Sequence, residues 1–260
     1  MVNVPSLSNV TQPPSYHPHH SKMDVFIKFY SLIGPRKALF CIMSAVVFRD
    51  LKTIPTPSGW TPEVKYIDKL LWSPKIPPEV RMSFEPKVPK NADAVQSPRF
   101  LADNVNVRGT QFAGIKEQRR NVKIKRITDP KHPCCGAYGL FAAQTLQPRQ
   151  LILDYLGVVE YKTYDPTSDY VLRLGTDLSV DAAKYGNEAR FCNDFRGVGP
   201  GPNVCFLNYM DERTRQVRVG IFVLGNSKIK KGEELLVTYG KSFWTKRGMD
   251  IHQQNHSQRR

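Results

Sequence analysis

The sequence predicts a mostly β domain of the α+β class in its second half, preceded by a proline-rich, partly helical region. Three observations predict this division. Fourteen of the 20 prolines fall within the first 98 of the 260 residues. Beyond residue 135, short segments rich in β-branched and aromatic residues alternate with turn residues. No long helical periodicity interrupts these segments, so small sheets are expected there.

The composition excludes several classes of protein. With 40% hydrophobic residues and only 17 glycines, the chain is neither disordered throughout nor collagen-like. Against 38 Lys and Arg stand 23 Asp and Glu, a net charge of +15. This charge predicts acidic partners such as nucleic acid, acidic protein or an anionic surface, and does not choose among them.

Membrane and secretory features are not expected. The longest largely apolar run, residues 38–48, is well below the ~20 residues that span a bilayer. Five cysteines are an odd number for a disulfide scaffold, and the N-terminus lacks the pattern of a secretory signal. A reducing compartment is therefore expected, with the cysteines as buried thiols.

The proline-rich half divides into a tail and an accessory region. Residues 1–22 are polar and predict a disordered tail, whereas residues 23–98 predict an accessory region with short helices. One helix is expected over 35–48. A second is expected from Thr61-Pro62-Glu63, which supplies an N-cap and an early proline before apolar residues at helical spacing. Residues 74–89 are expected to be extended.

A basic stretch leads into the main domain, which is expected over 108–247 and is followed by a basic tail over 248–260. Residues 108–132 hold eight Lys or Arg and two acids. Within this stretch, residues 122–127 nearly alternate apolar and basic side chains, which predicts a strand with one exposed face. That face is either simply solvated or a docking surface for an acidic partner.

Beyond this stretch the pattern predicts a series of short strands. A glycine and proline cluster at 197–202 predicts a loop, and Lys230-Lys231-Gly232-Glu233 predicts a turn. The expected strands cover 140–143, 151–155, 170–174, 204–209, 217–224 and 235–239.

Six motifs in this half occur in a recognisable order. They are Tyr-Gly-Leu-Phe-Ala at 138–142, Leu-Asp-Tyr-Leu-Gly at 153–157, Tyr-Gly-Asn-Glu-Ala-Arg-Phe-Cys-Asn-Asp at 185–194, Pro-Asn-Val at 202–204, Gly-Ile-Phe at 220–222 and Gly-Glu-Glu-Leu-Leu-Val-Thr-Tyr-Gly at 232–240, followed by Phe243-Trp244. Together they resemble the SET-domain protein lysine methyltransferases over residues 122–247. Signatures of phosphate-binding loops, serine hydrolases and zinc enzymes are missing.

The resemblance implies a SET-type fold of small curved sheets, in which a C-terminal pseudoknot threads beside the Asn193 segment. It implies S-adenosyl-L-methionine as methyl donor and a narrow channel for the target lysine. Carried over by motif, the catalytic residue is Tyr239, with Tyr155 and Tyr170 lining the channel. The donor would be bound by Tyr138, Gly139, Arg190, Asn193, Asp194 and Phe243, with Phe243 packing on the adenine.

Residue types at these positions suit methyl transfer to an amine. The amine must be uncharged and in line with the methyl group, so the site must align it rather than supply a strong nucleophile. An apolar aromatic channel beside a positive charge lowers the pKa of a lysine by desolvation and charge repulsion. Tyrosine hydroxyls can then orient the amine without adding charge.

The sequence departs from the family pattern at three positions. Ala137 stands where the first glycine of a Gly-x-Gly element is usual, Asp194 follows Asn193 where histidine is usual, and Val237 precedes the catalytic tyrosine by two residues. The small Val237 predicts room for di- or trimethyl products. The cysteine-rich segment that often follows this domain is lacking over 244–260, so no metal is implied.

Two functions from different classes remain open. The first is S-adenosylmethionine-dependent methylation of a protein lysine, on a histone or a non-histone substrate, in chromatin. The second is a catalytically weak SET-like module that acts as a binding or scaffold protein, suggested by the three departures. In either case the basic surface could contact nucleic acid or a nucleosome. The expected compartment is the nucleus or the cytoplasm.

Overall fold

The computed structural model describes Phe48, Leu51 and residues 53–85, 114–211 and 214–245. The predicted tail over 1–22, the predicted basic tail over 248–260 and all but the last residue of the helix predicted over 35–48 lie outside this part of the chain. Its strands are β1 (Lys65–Tyr66), β2 (Leu71–Trp72), β3 (Val122–Arg126), β4 (Tyr138–Ala142), β5 (Leu151–Asp154), β6 (Val158–Tyr161), β7 (Val171–Leu174), β8 (Leu178–Asp181), β9 (Tyr185–Gly186), β10 (Asn193–Asp194), β11 (Val204–Asp211), β12 (Gln216–Val223) and β13 (Leu236–Val237).

The strands form five small sheets rather than one continuous sheet. The largest has the order β2-β6-β8-β7, and a second has the order β11-β12-β5. The pairs β1-β9, β3-β4 and β10-β13 make up the rest. The short helices are α1 (Pro78–Phe84), α2 (Ile115–Gln118) and α3 (Lys241–Thr245), with 3₁₀ turns at Arg119–Asn121 and Glu188–Phe191. This arrangement confirms the predicted mostly β architecture of small sheets.

The strands predicted in the second half are confirmed, with bounds shifted by a few residues. Each of the six predicted segments contains one of β4, β5, β7, β11, β12 and β13 or most of it. In β3, Val122 and Ile124 are buried while Lys123 and Lys125 are exposed, as the alternation predicted. In this half of the chain, four strands of the described residues were not predicted: β6, β8, β9 and β10.

The helix predicted from Thr61 is wrong. Residues 65–66 and 71–72 form strands β1 and β2, which pair in parallel with β9 and β6. Tyr66, Ile67, Leu71 and Trp72 are all buried in these extended segments. The sheet edges offer backbone hydrogen bonds and burial for these side chains together, and this outweighs the local helical signal.

The extended conformation predicted for residues 74–89 is also wrong in part. Residues 78–84 form α1, with Pro78 at its first turn, where a missing N–H costs no hydrogen bond. Arg81 and Glu85 pair one turn apart at 3.1 Å. The Pro77-Pro78 pair therefore starts a helix instead of prolonging an extended segment.

The predicted pseudoknot is present between the C-terminal strand and the Asn193 segment. Strand β13 pairs in parallel with β10, with Asn193 opposite Leu236 and Asp194 opposite Val237. The N–H of Phe195 donates to the Val237 carbonyl at 3.0 Å, and the N–H of Asn203 donates to the Leu236 carbonyl at 3.0 Å. Both ends of the 195–202 loop thus flank β13.

The core lies between these small sheets and includes both sides of the pseudoknot. Leu140, Ile152, Leu153, Ile221 and Leu235 are fully buried. Burying each such side chain contributes about 1.5–3 kcal/mol. Strand β13 and its neighbours are therefore fixed by packing as well as by backbone hydrogen bonds.

The cysteines of the described residues are all free thiols. Cys192 is buried as predicted, whereas Cys134, Cys135 and Cys205 are only half-buried. Within the same part of the chain, no cluster of three or more His, Cys, Asp or Glu side chains could hold a metal ion. No helix there has the length and apolar character needed to cross a membrane.

Candidate active site

Tyr239 lies two residues after the end of β13 and is fixed at both its backbone and its side chain. Its hydroxyl donates to the carbonyl of Cys192 at 2.9 Å. Its backbone N–H donates to Oδ2 of Asp194 at 2.7 Å. Its ring packs against Phe243 and Trp244, with centroid distances of 4.7 and 6.2 Å. The pseudoknot therefore sets the position of this phenol.

Tyr155 and Tyr170 lie in the same region. Tyr155 follows β5, is buried, and its hydroxyl donates to the Tyr170 carbonyl at 2.8 Å. Burial raises the pKa of both Tyr155 and Tyr239 well above the ordinary value, and Tyr170 adds to the rise of each. The structure thus brings the three predicted channel tyrosines together, and burial keeps the hydroxyls of Tyr155 and Tyr239 neutral.

Arg190 lies against this tyrosine group. Its guanidinium stacks over the Tyr170 ring at 4.1 Å from the centroid, and its Nε–H donates to the Ala182 carbonyl at 3.1 Å. Its positive charge partly opposes the rise in the pKa of Tyr155 caused by burial. A cation therefore stands beside the predicted lysine channel.

The predicted donor residues Tyr138, Gly139 and Asn193 meet beside Glu234. The amide nitrogen of Asn193 donates to Oε1 of Glu234 at 3.0 Å and to the Tyr138 carbonyl at 3.3 Å. A Cβ at Gly139 would lie 2.5 Å from the same Oε1 atom. The missing side chain of Gly139 therefore makes room for the Glu234 carboxylate next to the main chain.

His132 closes this group from the opposite side. Its Nε2 lies 3.0 Å from Oε2 of Glu234, and both side chains are buried. Its Nδ1 accepts the N–H of Cys134 at 2.9 Å, which assigns the ring proton to Nε2. Neither His132 nor Glu234 was predicted as a site residue; the only sequence signal was the place of Glu234 within the 232–240 motif.

Asp194 makes contacts within the protein instead of presenting an open carboxylate. Its oxygens accept the backbone N–H of Arg196 at 2.9 Å and the Arg196 guanidinium at 2.7 and 2.9 Å. They also accept the Tyr239 N–H and the indole N–H of Trp244. The residue at the usual histidine position thus connects the 195–202 loop to the segment that carries Tyr239.

The departure at Ala137 is accommodated one residue earlier in the chain. Gly136 adopts a φ of +88°, a conformation that favours glycine. The Ala137 carbonyl accepts the N–H of Ile127 at 2.8 Å, which continues the β3-β4 pairing. The turn that needs glycine therefore precedes Ala137.

The predicted residues form two adjacent groups joined by the 190–194 segment. One group holds the three tyrosines with Arg190, and the other holds Tyr138, Gly139 and Asn193 with Glu234. Phe243 packs against the Tyr239 ring, and its own ring also contacts Trp244 with a centroid distance of 5.1 Å. The roles of these residues in donor and lysine binding stay predictions.

Comparison with known proteins supports the same interpretation. Residues 137–240 match the family model of the SET domain. A histone-lysine N-methyltransferase from Gibberella zeae, H3 lysine-36 specific, is 31% identical over 135 residues, or 48% of this chain and 13% of the relative. The Arabidopsis thaliana histone-lysine N-methyltransferase ASHH3 is 28% identical over 134 residues, covering 47% of this chain and 34% of the relative.

Two solved structures show partial similarity to this chain. The Chaetomium thermophilum polycomb repressive complex 2 is 26% identical with a TM-score of 0.36, over 47% of this chain and 15% of that one. KRYPTONITE in complex with mCHH DNA, H3(1-15) peptide and SAH is 22% identical with a TM-score of 0.36 over 47% of this chain and 24% of that one. This chain spans only a minor part of the length of these proteins.

Proposed function

We propose that this chain, whose residues 137–240 match the family model of the SET domain, is an S-adenosyl-L-methionine-dependent protein-lysine N-methyltransferase. The observation that carries the proposal is the group of three tyrosines, in which Tyr155 is buried and Tyr170 and Tyr239 are partly buried against the core. Tyr239 is held by the Cys192 carbonyl, and Tyr155 is held by the Tyr170 carbonyl. Neutral hydroxyls in an apolar setting suit the alignment of an uncharged amine.

The residues near Gly139 fit the methionine part of the donor. The Tyr138 carbonyl and the side chains of Asn193 and Glu234 provide hydrogen-bond acceptors there, as an ammonium group requires. When bound, the donor supplies an electrophilic methyl group on a positively charged sulfur. Phe243 is proposed to pack on the adenine, in accordance with the family resemblance.

The chain's own residues prepare the lysine in three ways. The tyrosine group excludes water, and its hydroxyls and carbonyls orient the amine. The raised pKa values of Tyr155 and Tyr239 keep both hydroxyls neutral at physiological pH, so no phenolate stabilises a charged lysine. The Arg190 guanidinium disfavours the ammonium form of the lysine by charge repulsion.

Histone H3 is the first substrate to test. The similar proteins from Gibberella zeae and Emericella nidulans are named as H3 lysine-36 specific enzymes. A histone tail is basic and this chain carries a net charge of +15, so an acidic component must offset the repulsion. We propose that nucleosomal DNA supplies it, through the exposed Lys123 and Lys125 on β3, and that the protein acts in the nucleus.

The number of methyl groups that the enzyme adds to one lysine is a further part of the proposal. Val237 is buried in β13 and stands two residues before Tyr239. A side chain smaller than phenylalanine or tyrosine leaves more room near the lysine nitrogen, so di- and trimethyl-lysine are expected. Mass spectrometry at saturating donor measures this, and accumulation of monomethyl-lysine alone contradicts it.

The test of the function begins with donor binding. Calorimetric titration of S-adenosylmethionine into the wild-type chain should give saturable binding, which Asn193→Ala should abolish. Methyl transfer to H3 peptides and to nucleosomes is then followed by mass spectrometry. Tyr239→Phe should reduce the rate by at least about 100-fold while leaving donor binding intact.

The outcomes also separate the enzyme from the scaffold alternative. Donor binding without transfer to any histone substrate leaves non-histone proteins as candidates. No binding at millimolar donor, by protein that circular dichroism shows to be folded, contradicts the enzyme and favours a SET-like binding module.

A further inference from the structure

We propose that Glu234 binds the α-ammonium group of the methyl donor and that His132 is the residue that positions it. This assignment rests on the proposed function. It adds two residues that the family resemblance did not supply.

Glu234 is a buried carboxylate with a fixed orientation. Its side chain is only 9% exposed, and its backbone forms a bridge to Phe141 on β4. Oε1 accepts from the Asn193 amide and Oε2 from His132 Nε2, each at 3.0 Å. Both oxygens are thus held while lone pairs remain for a further donor.

The partners of Glu234 do not supply a formal positive charge. Because His132 Nδ1 accepts the Cys134 N–H, the ring donates from Nε2 as the neutral tautomer. Among the described residues, His132 is the only basic side chain within ion-pairing distance of Glu234. A buried carboxylate with neutral partners retains a substantial desolvation cost, which a bound cation offsets.

The position of the Glu234 carboxylate suits the amino-acid part of the methyl donor, which carries the α-ammonium group. Oε1 faces the main chain at Gly139, where a Cβ would come within 2.5 Å of it. The Asn193 amide nitrogen donates to both Glu234 and the Tyr138 carbonyl, so Asn193 Oδ1 remains as a second acceptor beside Glu234. Two acceptors, one of them charged, suit an ammonium group and repel a carboxylate.

An ammonium group is favoured over a sulfonium as the cation at this position. An ammonium offers three N–H donors to Glu234 and Asn193, whereas a sulfonium offers none. Three adenosyl ligands separate these contributions. S-adenosylmethionine has both cations, S-adenosylhomocysteine keeps only the ammonium, and 5′-methylthioadenosine lacks both.

Calorimetry with Glu234→Gln tests the assignment. The Kd values of S-adenosylmethionine and S-adenosylhomocysteine should each rise about 10- to 100-fold, because a charged hydrogen bond is lost. The Kd of 5′-methylthioadenosine should change by less than about 3-fold, since it has no ammonium. An equal loss for all three ligands would indicate a general disturbance of the pocket and overturn the assignment.

Two substitutions of His132 distinguish its hydrogen bond to Glu234 from its hydrogen bond to the Cys134 backbone in the loop. His132→Gln keeps an N–H donor near the Nε2 position and should retain most of the donor affinity. His132→Asn keeps an acceptor for the Cys134 N–H but cannot reach Glu234, so its S-adenosylhomocysteine affinity should fall. The reverse order, or equal affinities for the two variants, overturns the role of His132.

Failure of this assignment is distinguishable from failure of the proposed function. Tight donor binding by wild-type protein, unchanged in Glu234→Gln, overturns only the assignment. Absence of donor binding by folded wild-type protein overturns the proposed function and this assignment with it. If Glu234→Gln does not fold, the His132 pair provides the test.

Discussion

The backbone N–H of Tyr239 donates to Oδ2 of Asp194 at 2.7 Å across the pseudoknot. The same carboxylate accepts two hydrogen bonds from the Arg196 guanidinium and one from the Trp244 indole. Asp194 is nearly buried, so these contacts are largely shielded from water. One carboxylate therefore joins strand β10, the 195–202 loop, the Tyr239 backbone and α3.

Replacing Asp194 by asparagine should destabilise the protein. The variant loses the negative charge that pairs with Arg196. Its amide NH₂ group is a hydrogen-bond donor and would face N–H donors of Tyr239, Trp244 or Arg196 that need an acceptor. Breaking a buried, hydrogen-bonded pair of this kind costs about 2–4 kcal/mol. Thermal unfolding followed by circular dichroism should show a melting temperature lower by about 5–15 °C.

An exposed ion pair is the matched control for this change. Arg81 and Glu85 lie one turn apart in and after α1, with the Arg81 side chain 52% exposed. Arg81→Gln should lower the free energy of unfolding by less than about 1 kcal/mol.

Asp194→His restores the residue that is usual in the family. It should also destabilise this chain, because an imidazole cannot accept all the hydrogen bonds that Asp194 accepts. Equal melting temperatures for Asp194→Asn and wild type would contradict this account.

The pH dependence of methyl transfer should reveal the role of Arg190. Its guanidinium lies 4.1 Å from the centre of the Tyr170 ring and so stands close to the proposed lysine channel. Removing this charge in Arg190→Gln should favour the charged form of the lysine. The acidic limb of the kcat profile, which reports the bound lysine, should then move to higher pH by about 0.5–1 unit.

The same experiment discriminates between two roles for Arg190. If Arg190 binds the donor, as the resemblance implied, the KM for S-adenosylmethionine should rise while the acidic limb stays in place. A shifted limb with an unchanged donor KM would instead assign the residue to the lysine channel. If Arg190→Gln changes neither the acidic limb nor the donor KM, Arg190 has no role in the site.

Much of the fold followed from local patterns, and the errors have a common physical cause. Strand β3 was predicted because its apolar and basic residues alternate with the period of a half-buried strand. Strands β1 and β2 were mistaken for a helix because their conformation depends on pairing with β9 and β6, distant in sequence. Two-residue strands of this kind have no periodicity of their own.

Most of the candidate site residues were predicted from ordered motifs, whereas Tyr170 lies outside them. Tyr239, Asn193 and Gly139 were proposed as site residues from their flanking sequences. His132 lies in a loop without a recognisable pattern, and its contact with Glu234 joins residues 102 positions apart. Arg196 was likewise part of a loop whose role could not be inferred, because its partner Asp194 was assigned to donor binding.

Gly139→Ala should impair both stability and donor binding. The added Cβ would approach Glu234 Oε1 at 2.5 Å and the Asn193 amide nitrogen at 3.1 Å. Because both groups are held by hydrogen bonds, relieving this overlap should cost about 1–3 kcal/mol. Calorimetry with S-adenosylhomocysteine should show at least about a 10-fold weaker Kd.

The control for Gly139→Ala is a glycine with open space around it. A Cβ at Gly201 would meet nothing within 4 Å. Gly201→Ala should therefore leave both the melting temperature and the donor Kd close to the wild-type values. Similar losses in the two variants would show that the effect does not arise from crowding at Glu234.

Alkaline pH should destabilise the protein through its buried tyrosines. Burial raises the pKa values of Tyr66, Tyr155, Tyr209 and Tyr239 well above the ordinary value of 10.0. Above pH 10 these residues are ionised in the unfolded chain but protonated in the folded one, so the unfolded state is favoured as pH rises. Each such tyrosine reduces the free energy of unfolding by up to about 1.4 kcal/mol per pH unit.

Denaturant titrations between pH 8 and pH 11.5 measure this effect, with tyrosinate absorbance as a second signal. The free energy of unfolding should be nearly constant as pH rises to about 9 and should fall above about pH 10. Tyr155→Phe should make the alkaline slope shallower by the contribution of one tyrosine. Tyr164→Phe, at a position 54% exposed, should leave the slope unchanged. Equal slopes in Tyr155→Phe and wild type would mean that Tyr155 ionises as easily in the folded protein as in the unfolded chain. That result would contradict the raised pKa that burial gives Tyr155.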